Sequence, residues 1–472
     1  MAAERSDAIV FFGATGDLAR KQIFPALQAM VRRGQLKEPV IGVAKTERTP
    51  EHIRAIVCES LENHGGVDPQ AMVSLLGLLR YVSGDYRDPA TFGRLRKALG
   101  SAVRPLYYLA IPPSQFTSVI EGVATSGCVD GARVVIEKPF GRNLASAQAL
   151  NRTLHTYFPE PAIFRIDHYL GKEPVQNLIY FRFANPIFEA GWNRHSIQRV
   201  QITMAEQFGV AGRGRFYEEV GAIRDVVQNH LLMVIACLAM EAPSGRDHES
   251  IREERAKVLK MIRPLSSSDV VRAQFRGYRR ESGVASDSQV ETFAAVRFSI
   301  DSGRWAGVPF YVRTGKCLPV TATEVLVEFK RPCSPVLHEI EPPLSNYFRF
   351  GLSPNVLIAL GSNTKVPGEA MMGERIELVA HQGSGDEMPP YERLLGDAIK
   401  GDATLFVRGD GVEAAWRIVE PVLQHGEPLY TYEPGSWGPQ EADALLGHGQ
   451  GWHNPTISAP PTDTLLEDTM YR

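Results

Sequence analysis

The sequence predicts an α/β domain built on a parallel sheet, followed by a larger α+β domain with a mainly antiparallel sheet. Three observations carry this. Short apolar strands alternate with helical stretches over the first third of the chain, the rhythm of a parallel sheet. A glycine turn, Gly13-Ala-Thr-Gly16, follows the first of those strands. From about Val290 the pattern changes to repeated strand-like runs: ETFAAVRFSI, WAGVPFYVRT, EVLVEFK, NVLIAL and RIELVA. We place the boundary between 1–167 and 168–472, to within about 10 residues.

Taken in order, Ala8–Phe12 reads as a strand and Leu18–Arg33 as an amphipathic helix bent at Pro25. Pro39–Ala44 is a second strand and His52–Asn63 a helix. Leu106–Ile111 is a strand stopped by Pro112-Pro113, Ser114–Thr125 a helix and Arg133–Ile136 a further strand. Beyond residue 165 the rhythm fades. Glu173–Phe183, Ala222–Met240 and Glu253–Ile262 read as helices and Arg199–Ala205 as a strand; Val412–Val422 is helical near the C-terminus.

Composition narrows the function classes. The 472 residues are 44% hydrophobic and 22% charged, enough to bury a core without staples. Lys plus Arg number 51 against 54 Asp plus Glu, a net charge of −3, which argues against nucleic acid or an anionic membrane as the main partner. Cys58, Cys128, Cys237, Cys317 and Cys333 are an odd set without C-x-x-C, so neither a disulfide framework nor a zinc ribbon is expected, and no metal site. The longest apolar run, Leu231–Met240, is too short to span a bilayer. MAAERSDAIVFFGATG enters a strand at once, so no targeting peptide is expected and the compartment is read as cytoplasmic.

Gly13-Ala14-Thr15-Gly16-Asp17-Leu18-Ala19 joins the first strand to the first helix. Glycines there let backbone approach a pyrophosphate, and the helix start offers free N–H groups. An ordinary tight turn presents the same letters; the strand–turn–helix context favours a doubly wound, Rossmann-type dinucleotide domain. The second strand ends at Lys45, where a 2′-phosphate wants a cation, so NADP is expected over NAD. A solvated surface lysine is the alternative, and the nearby Glu47 keeps NAD open as the weaker cofactor.

VVIEKPFG follows the last strand of the alternating region, which places Lys138 where cofactor and substrate meet, with Pro139 fixing its backbone. A charged turn is the alternative. Arg165-Ile-Asp167-His168-Tyr169-Leu-Gly171-Lys172-Glu173-Pro174 is the densest polar segment of the chain. Pro174 marks a helix start, and His168, Tyr169 and Lys172 beside it suit an anion such as a phosphate monoester. A turn with ion pairs would look alike. A further cluster joins Glu206 to Gly221–His230. On an α-helix Asp225 and His230, five apart, differ by about 140° and do not stack. A lone His at such a polar-to-apolar transition is more often a satisfied core residue. Together these signals fit hydride transfer from an alcohol, with His as base and a carboxylate orienting it.

These residues resemble the glucose-6-phosphate dehydrogenase family. The resemblance covers nearly the whole chain through GATGDLAR (13–20), EKPFG (137–141), RIDHYLGKE (165–173), FRFAN (181–185), WNR (192–194), GAIRDVVQNHL (221–231), VETFAA (290–295), RTGK (313–316) and PYERLL (390–395). It implies oxidation of C1 of glucose 6-phosphate to the 6-phospho-glucono-lactone with NADP, the entry step of the pentose phosphate pathway, by a homodimer or homotetramer. It implies His230 as general base and Asp167 as its orienting acid. His168, Tyr169 and Lys172 would bind phosphate; Glu206, Asp225, Lys138 and Lys316 would bind the sugar. Gly13 to Arg20, Lys45, Asp85, Tyr86 and Lys138 would bind cofactor. Two departures stand out: Thr321 replaces a basic group of some relatives, and Phe116 a tyrosine. No match to a second, structural NADP site is evident. Within the same fold, another phospho-sugar or free glucose is the competing substrate; a non-catalytic NADP-binding sensor is the competing class.

Overall fold

A computed structural model describes residues 5–457 apart from 246, 332–343, 369–372, 382–387, 425–427 and 448–450; Cys333 lies outside the described residues. The chain divides into two compact units. The first comprises Met1–Asn185, Arg224–Leu265 and Gly385–His425; the second comprises Pro186–Ile223, Ser266–Ser384 and Gly426–Arg472. The parallel-sheet unit therefore draws on more chain than 1–167.

Six parallel strands build the first unit: β1 Ala8–Phe12, β2 Val40–Ala44, β3 Leu79–Ser83, β4 Pro105–Leu109, β5 Arg133–Ile136 and β6 Ile163–Ile166. Their order is β6-β5-β4-β1-β2-β3, with the two-residue strand Phe406–Val407 antiparallel on the outer edge of β6. This is the doubly wound arrangement, whose order reverses between β1 and β4. β1 reads AIVFF because both its faces are covered, and all five side chains are at most 1% exposed. Each large apolar side chain so buried contributes roughly 1.5–3 kcal/mol. β3, LRYVS, sits at the open edge and is half exposed, so its apolar signal is too thin to stand out from sequence.

The later chain segments return to this unit as helices. Helix Gly409–Gln424 packs on helices Leu144–Tyr157 and His248–Met261. Its Trp416 donates an indole hydrogen bond (2.9 Å) to the carbonyl of Phe140 in EKPFG. Such helices add apolar cover that residues 1–167 alone do not supply.

Two expected helices are irregular. Residues Ala19–Ile23 form a π-helical turn, and the α-helix proper is Phe24–Arg32. Pro25 stands in its first turn, where its missing N–H costs nothing, rather than at a bend. Where one α-helix was expected over Ala222–Met240, Ile223–Leu231 is π-helical and only Leu232–Ala239 is α-helical. The stretch Gly214–Ala239 is long and apolar enough to cross a membrane by length and composition, yet 83% of its apolar window is buried within the protein, as in a core helix.

The second unit is a sheet of β7 Ile197–Ala205, β8 Val270–Phe275, β9 Phe293–Ser299, β10 Pro309–Gly315, β11 Ala322–Phe329, β12 Tyr347–Ser353, β13 Leu357–Lys365 and β14 Gly373–His381. The order is β14-β13-β12-β11-β7-β10-β9-β8, continued by Leu429–Tyr432. It is mainly antiparallel, as expected; the β7–β10 pair and the Leu429–Tyr432 pairing with β8 are parallel.

Candidate active site

Asp167 follows β6 directly, at the carboxyl end of a strand, where doubly wound sheets place their ligands. His230 comes from the π-helical segment. The two meet in the first unit: His230 Nδ1 lies 2.6 Å from Asp167 Oδ1, with both side chains almost fully buried. The other carboxylate oxygen, Oδ2, is buried and finds no partner among the described residues. Burial alone would raise the Asp167 pKa, but the His230 charge and hydrogen bond outweigh it and hold it at about 2. Burial lowers the His230 pKa, against the pull of Asp167.

The π-helical geometry corrects the expected placement of Asp225. A π-helix bonds residue i to i+5, so residues five apart share one face rather than standing 140° apart. Asp225 and His230 accordingly share one neighbour. Lys138 Nζ lies 3.2 Å from Asp225 Oδ1, 3.1 Å from the Asp225 carbonyl and 3.0 Å from His230 Nε2. Lys138 reaches this point from the turn after β5, and its bond to Pro139 is cis.

Two further residues of the RIDHYLGKE segment pack on the imidazole. The Tyr169 ring stacks on that of His230 at 4.6 Å, and the His168 ring meets it edge-on at 4.4 Å. Lys172 Nζ sits 3.8 Å above the other ring of this stack, Tyr169. Lys172 is also the residue that precedes helix Glu173–Ala184, and Pro174 stands in the first turn as expected. Burial, reinforced by His230, lowers the His168 pKa to about 3, so in the free protein its imidazole is neutral and offers one N–H. The fixed positive charge of the candidate anion pocket is that of Lys172.

Gly13 ends β1 at φ +87°, and a Cβ there would lie 2.2 Å from the carbonyl oxygen of Ala110, just beyond β4. The two loops thus touch at the point where strand order reverses. Gly16 N–H donates back to the Gly13 carbonyl (2.9 Å), closing the turn through Ala14 and Thr15, while Asp17 and Leu18 lead into Ala19 and Arg20. Tyr86 braces it: its hydroxyl accepts from Gly13 N–H (2.9 Å) and donates to the Val43 carbonyl (3.1 Å). Burial pushes the Tyr86 pKa up to about 12, which keeps it a donor. Lys45, at the end of β2, is exposed and ion-paired with Asp85 at 3.1 Å. Both line a 210 Å³ cleft with Tyr86, Arg87, Ser114 and Gln115. Arg87 is a second cation in this cleft, and the sequence reading passed over it because it lies in a short loop without a motif.

In the second unit Glu206 and Lys316 follow the ends of β7 and β10, whose parallel register sets Ala205 beside Gly315. Lys316 Nζ lies 2.5 Å from the Glu206 carboxylate and 4.7 Å over the Phe208 ring. Thr321 Oγ1 accepts from the Gln207 N–H at 3.0 Å, so this departure closes the local loop. Phe116 is fully buried.

Comparison with known proteins is decisive at this point. A family model described as the glucose-6-phosphate dehydrogenase NAD binding domain matches residues 10–177, and one for the C-terminal domain matches 179–453. The chain belongs to the glucose-6-phosphate dehydrogenase family. Glucose-6-phosphate 1-dehydrogenase 1 of Mycobacterium tuberculosis (strain H37Rv) is 41% identical over 455 residues, covering 96% of this chain and 97% of that protein. A relative from Arabidopsis thaliana, "Glucose-6-phosphate 1-dehydrogenase 6, cytoplasmic", is 39% identical over 485 residues, covering 95% of this chain and 94% of that protein. The crystal structure of glucose-6-phosphate 1-dehydrogenase from Mycobacterium avium is similar with a TM-score of 0.90 at 41% identity, covering 97% of this chain and 100% of that one. A glucose-6-phosphate dehydrogenase in complex with its substrate glucose-6-phosphate gives 0.88 at 35% identity, covering 96% and 100%.

A glucose-6-phosphate dehydrogenase needs a base, and the structure offers one group with two readings. Asp167, His168 and His230 bring ligand-type atoms within 4.8 Å of one another, a spacing that metal sites also use. No local motif marks this cluster, because His230 lies 62 positions beyond His168. The 2.6 Å contact between Nδ1 and Oδ1 is that of a shared proton, which favours an acid–base pair.

Proposed function

We propose that this chain oxidises C1 of glucose 6-phosphate to the 6-phospho-glucono-lactone, with NADP preferred over NAD as hydride acceptor. One observation carries the reading. The buried Asp167–His230 pair leaves Nε2 of the imidazole as an acceptor, beside a lysine and an anion pocket.

In this reading Lys172, the Tyr169 hydroxyl and a ring N–H of His168 bind the phosphate. An arriving dianion raises the proton affinity of His168 and strengthens that contact. Glu206 and Asp225 accept from sugar hydroxyls, and Lys138 and Lys316 donate. His230 Nε2 takes the C1 hydroxyl proton, while Asp167 stabilises the imidazolium. Holding the sugar rigidly makes the transfer effectively intramolecular. The turn at Gly13 fits a dinucleotide, since its lack of a side chain lets the loops after β1 and β4 meet at the strand-order reversal. Residues Gly13 to Arg20, Lys45, Asp85, Tyr86 and Lys138 would hold it, Lys45 facing the 2′-phosphate. When bound, the nicotinamide accepts the hydride.

The reaction is the entry step of the pentose phosphate pathway. We place the enzyme in the cytoplasm, in line with the name of the Arabidopsis relative. A homodimer or homotetramer without nucleic-acid or membrane partners is proposed from the family resemblance. The test follows absorbance of reduced nicotinamide with glucose 6-phosphate, other phospho-sugars and free glucose, each with NADP and NAD. Turnover confined to glucose 6-phosphate, faster with NADP, supports the reading. Equal turnover with free glucose removes the phosphate pocket from it.

A further inference from the structure

The segments EKPFG and PYERLL leave Glu137 and Tyr391 without a role in the reaction above. Glu137 is buried beside Lys138 at the end of β5, and its side-chain hydrogen bonds among the described residues go to phenols rather than to a cation. Its partners are two phenols. The Tyr108 hydroxyl donates to Glu137 Oε1 at 2.5 Å, and the Tyr391 hydroxyl donates to the same carboxyl group. Tyr108 lies on β4, next to β5 in the sheet. Tyr391 comes from 254 residues further along the chain, in the first turn of helix Pro390–Lys400.

That helix is fastened at three more points, two of them in the RIDHYLGKE segment. Arg33 Nε lies 2.8 Å from the fully buried Glu392. Arg393 donates to Glu173, just after Lys172, at 2.8 Å. Leu394 and Pro390 pack so closely on Gly171 that a Cβ there would fall 3.1–3.2 Å from them. The first turn of the helix is therefore held against both the phosphate segment and the Lys138 turn, and Tyr391 feels the charges of Glu137 and Asp167.

We propose that Tyr391 is a positioning residue: its hydroxyl, with that of Tyr108, pins Glu137, and Glu137 in turn keeps Lys138 at the acceptor nitrogen of His230. The proposal rests on the reading of His230 as the base. The charged and titratable groups facing His230 are Asp167, His168, Lys138 and Asp225, with the Tyr169 ring over it. Burial lowers the His230 pKa most, and the Lys138 charge adds to it. A Lys138 set loose lets His230 protonate at higher pH.

The experiment compares Tyr391→Phe, which deletes one hydroxyl and keeps the ring, with wild type. Tyr108→Phe is the second variant and removes the other donor to Glu137. Two readouts are taken on each. The first is the pH profile of kcat/KM for glucose 6-phosphate. The second is the His230 imidazole titration in the free protein by NMR, which needs no turnover. In Tyr391→Phe we expect kcat to fall about tenfold. Its acid limb and the His230 titration should both move up by about one unit, as when a like charge withdraws. A merely structural role would lower the melting temperature and leave both curves in place. Unmoved curves in both variants overturn the proposal. Failure of wild type to oxidise glucose 6-phosphate would remove the reading of the reaction instead, and the NMR titration would still decide whether Tyr391 governs His230.

Discussion

Lys138 Nζ and His230 Nε2 are 3.0 Å apart, and this fixes the tautomer of the imidazole. An ammonium group only donates, so Nε2 is the acceptor and Nδ1 carries the proton that Asp167 receives. The nitrogen a base must use thus has its lone pair free of hydrogen, and Asp167 guards the other. His230→Asn keeps a donor toward Asp167 and loses the base. We expect kcat to fall by about 10²–10⁴-fold while the Kd for glucose 6-phosphate stays within a few fold. Stopped-flow turnover and equilibrium binding check both halves. Near-normal turnover refutes the assignment.

Lys172 is the fixed charge of the proposed phosphate pocket, because His168 is neutral when the site is free. Lys172→Thr should raise KM for glucose 6-phosphate about ten- to a hundredfold, the worth of one hydrogen bond to a charged group. Turnover of free glucose should not change. Steady-state kinetics on the two sugars separates the outcomes, and an unchanged KM removes the phosphate role.

His168 also sets an acid limit on stability. Its folded pKa, about 3, lies below the ordinary 6.5, so as pH falls below 6.5 the unfolded chain takes up the proton first. The unfolded state then binds more protons, and stability declines with falling pH until about pH 3. At 1.36 kcal/mol per unit, wild type should lose about 2 kcal/mol more than His168→Asn between pH 7 and pH 5. Urea melts at the two values measure this. Equal losses would show that burial does not hold His168 neutral.

Gly13 has positive φ and no room for a methyl group against the Ala110 carbonyl. Gly13→Ala should cost about 1–3 kcal/mol of stability and separate the loops after β1 and β4. Loss of nicotinamide binding should exceed any loss of sugar-phosphate binding. Thermal melting with each ligand tests this, and parallel losses would count against a cofactor role for the turn.

Lys45 is exposed and shared with Asp85, so its charge is available at the edge of the cleft rather than locked in a core. Lys45→Ala should weaken NADP on the order of tenfold, leave NAD almost unchanged and reduce the salt dependence of NADP binding. Equal effects on both cofactors would remove the 2′-phosphate contact.

The parallel sheet was readable because its central strands, such as AIVFF in β1, are apolar on both faces, and the glycine turn announced the crossover. β3 was not, since this edge strand buries only Val82 and leaves its other residues partly or fully exposed. Asp167 and His168 stood out by local density. Their partnership with His230 rests on a long-range packing that no local pattern encodes. Periodicity misplaced Asp225 because it assumed 3.6 residues per turn, and the segment winds more widely. Tyr391 was marked only as part of the PYERLL resemblance and had no role assigned, as its meaning lies in Glu137, far away in the chain.

The wide winding of Ile223–Leu231 has a consequence for how this site can vary. Compared with α-helical spacing, the coil holds spare length, and that surplus is what turns the ring of residue 230 toward residue 167. Were the same residues to relax to ordinary α-helical coiling, Asp225 and His230 would stand about 140° apart and the imidazole would leave the face it now shares with residue 225. A change in this stretch that restores ordinary α-helical coiling would therefore cost the site its geometry, even where every side chain that touches a ligand is preserved.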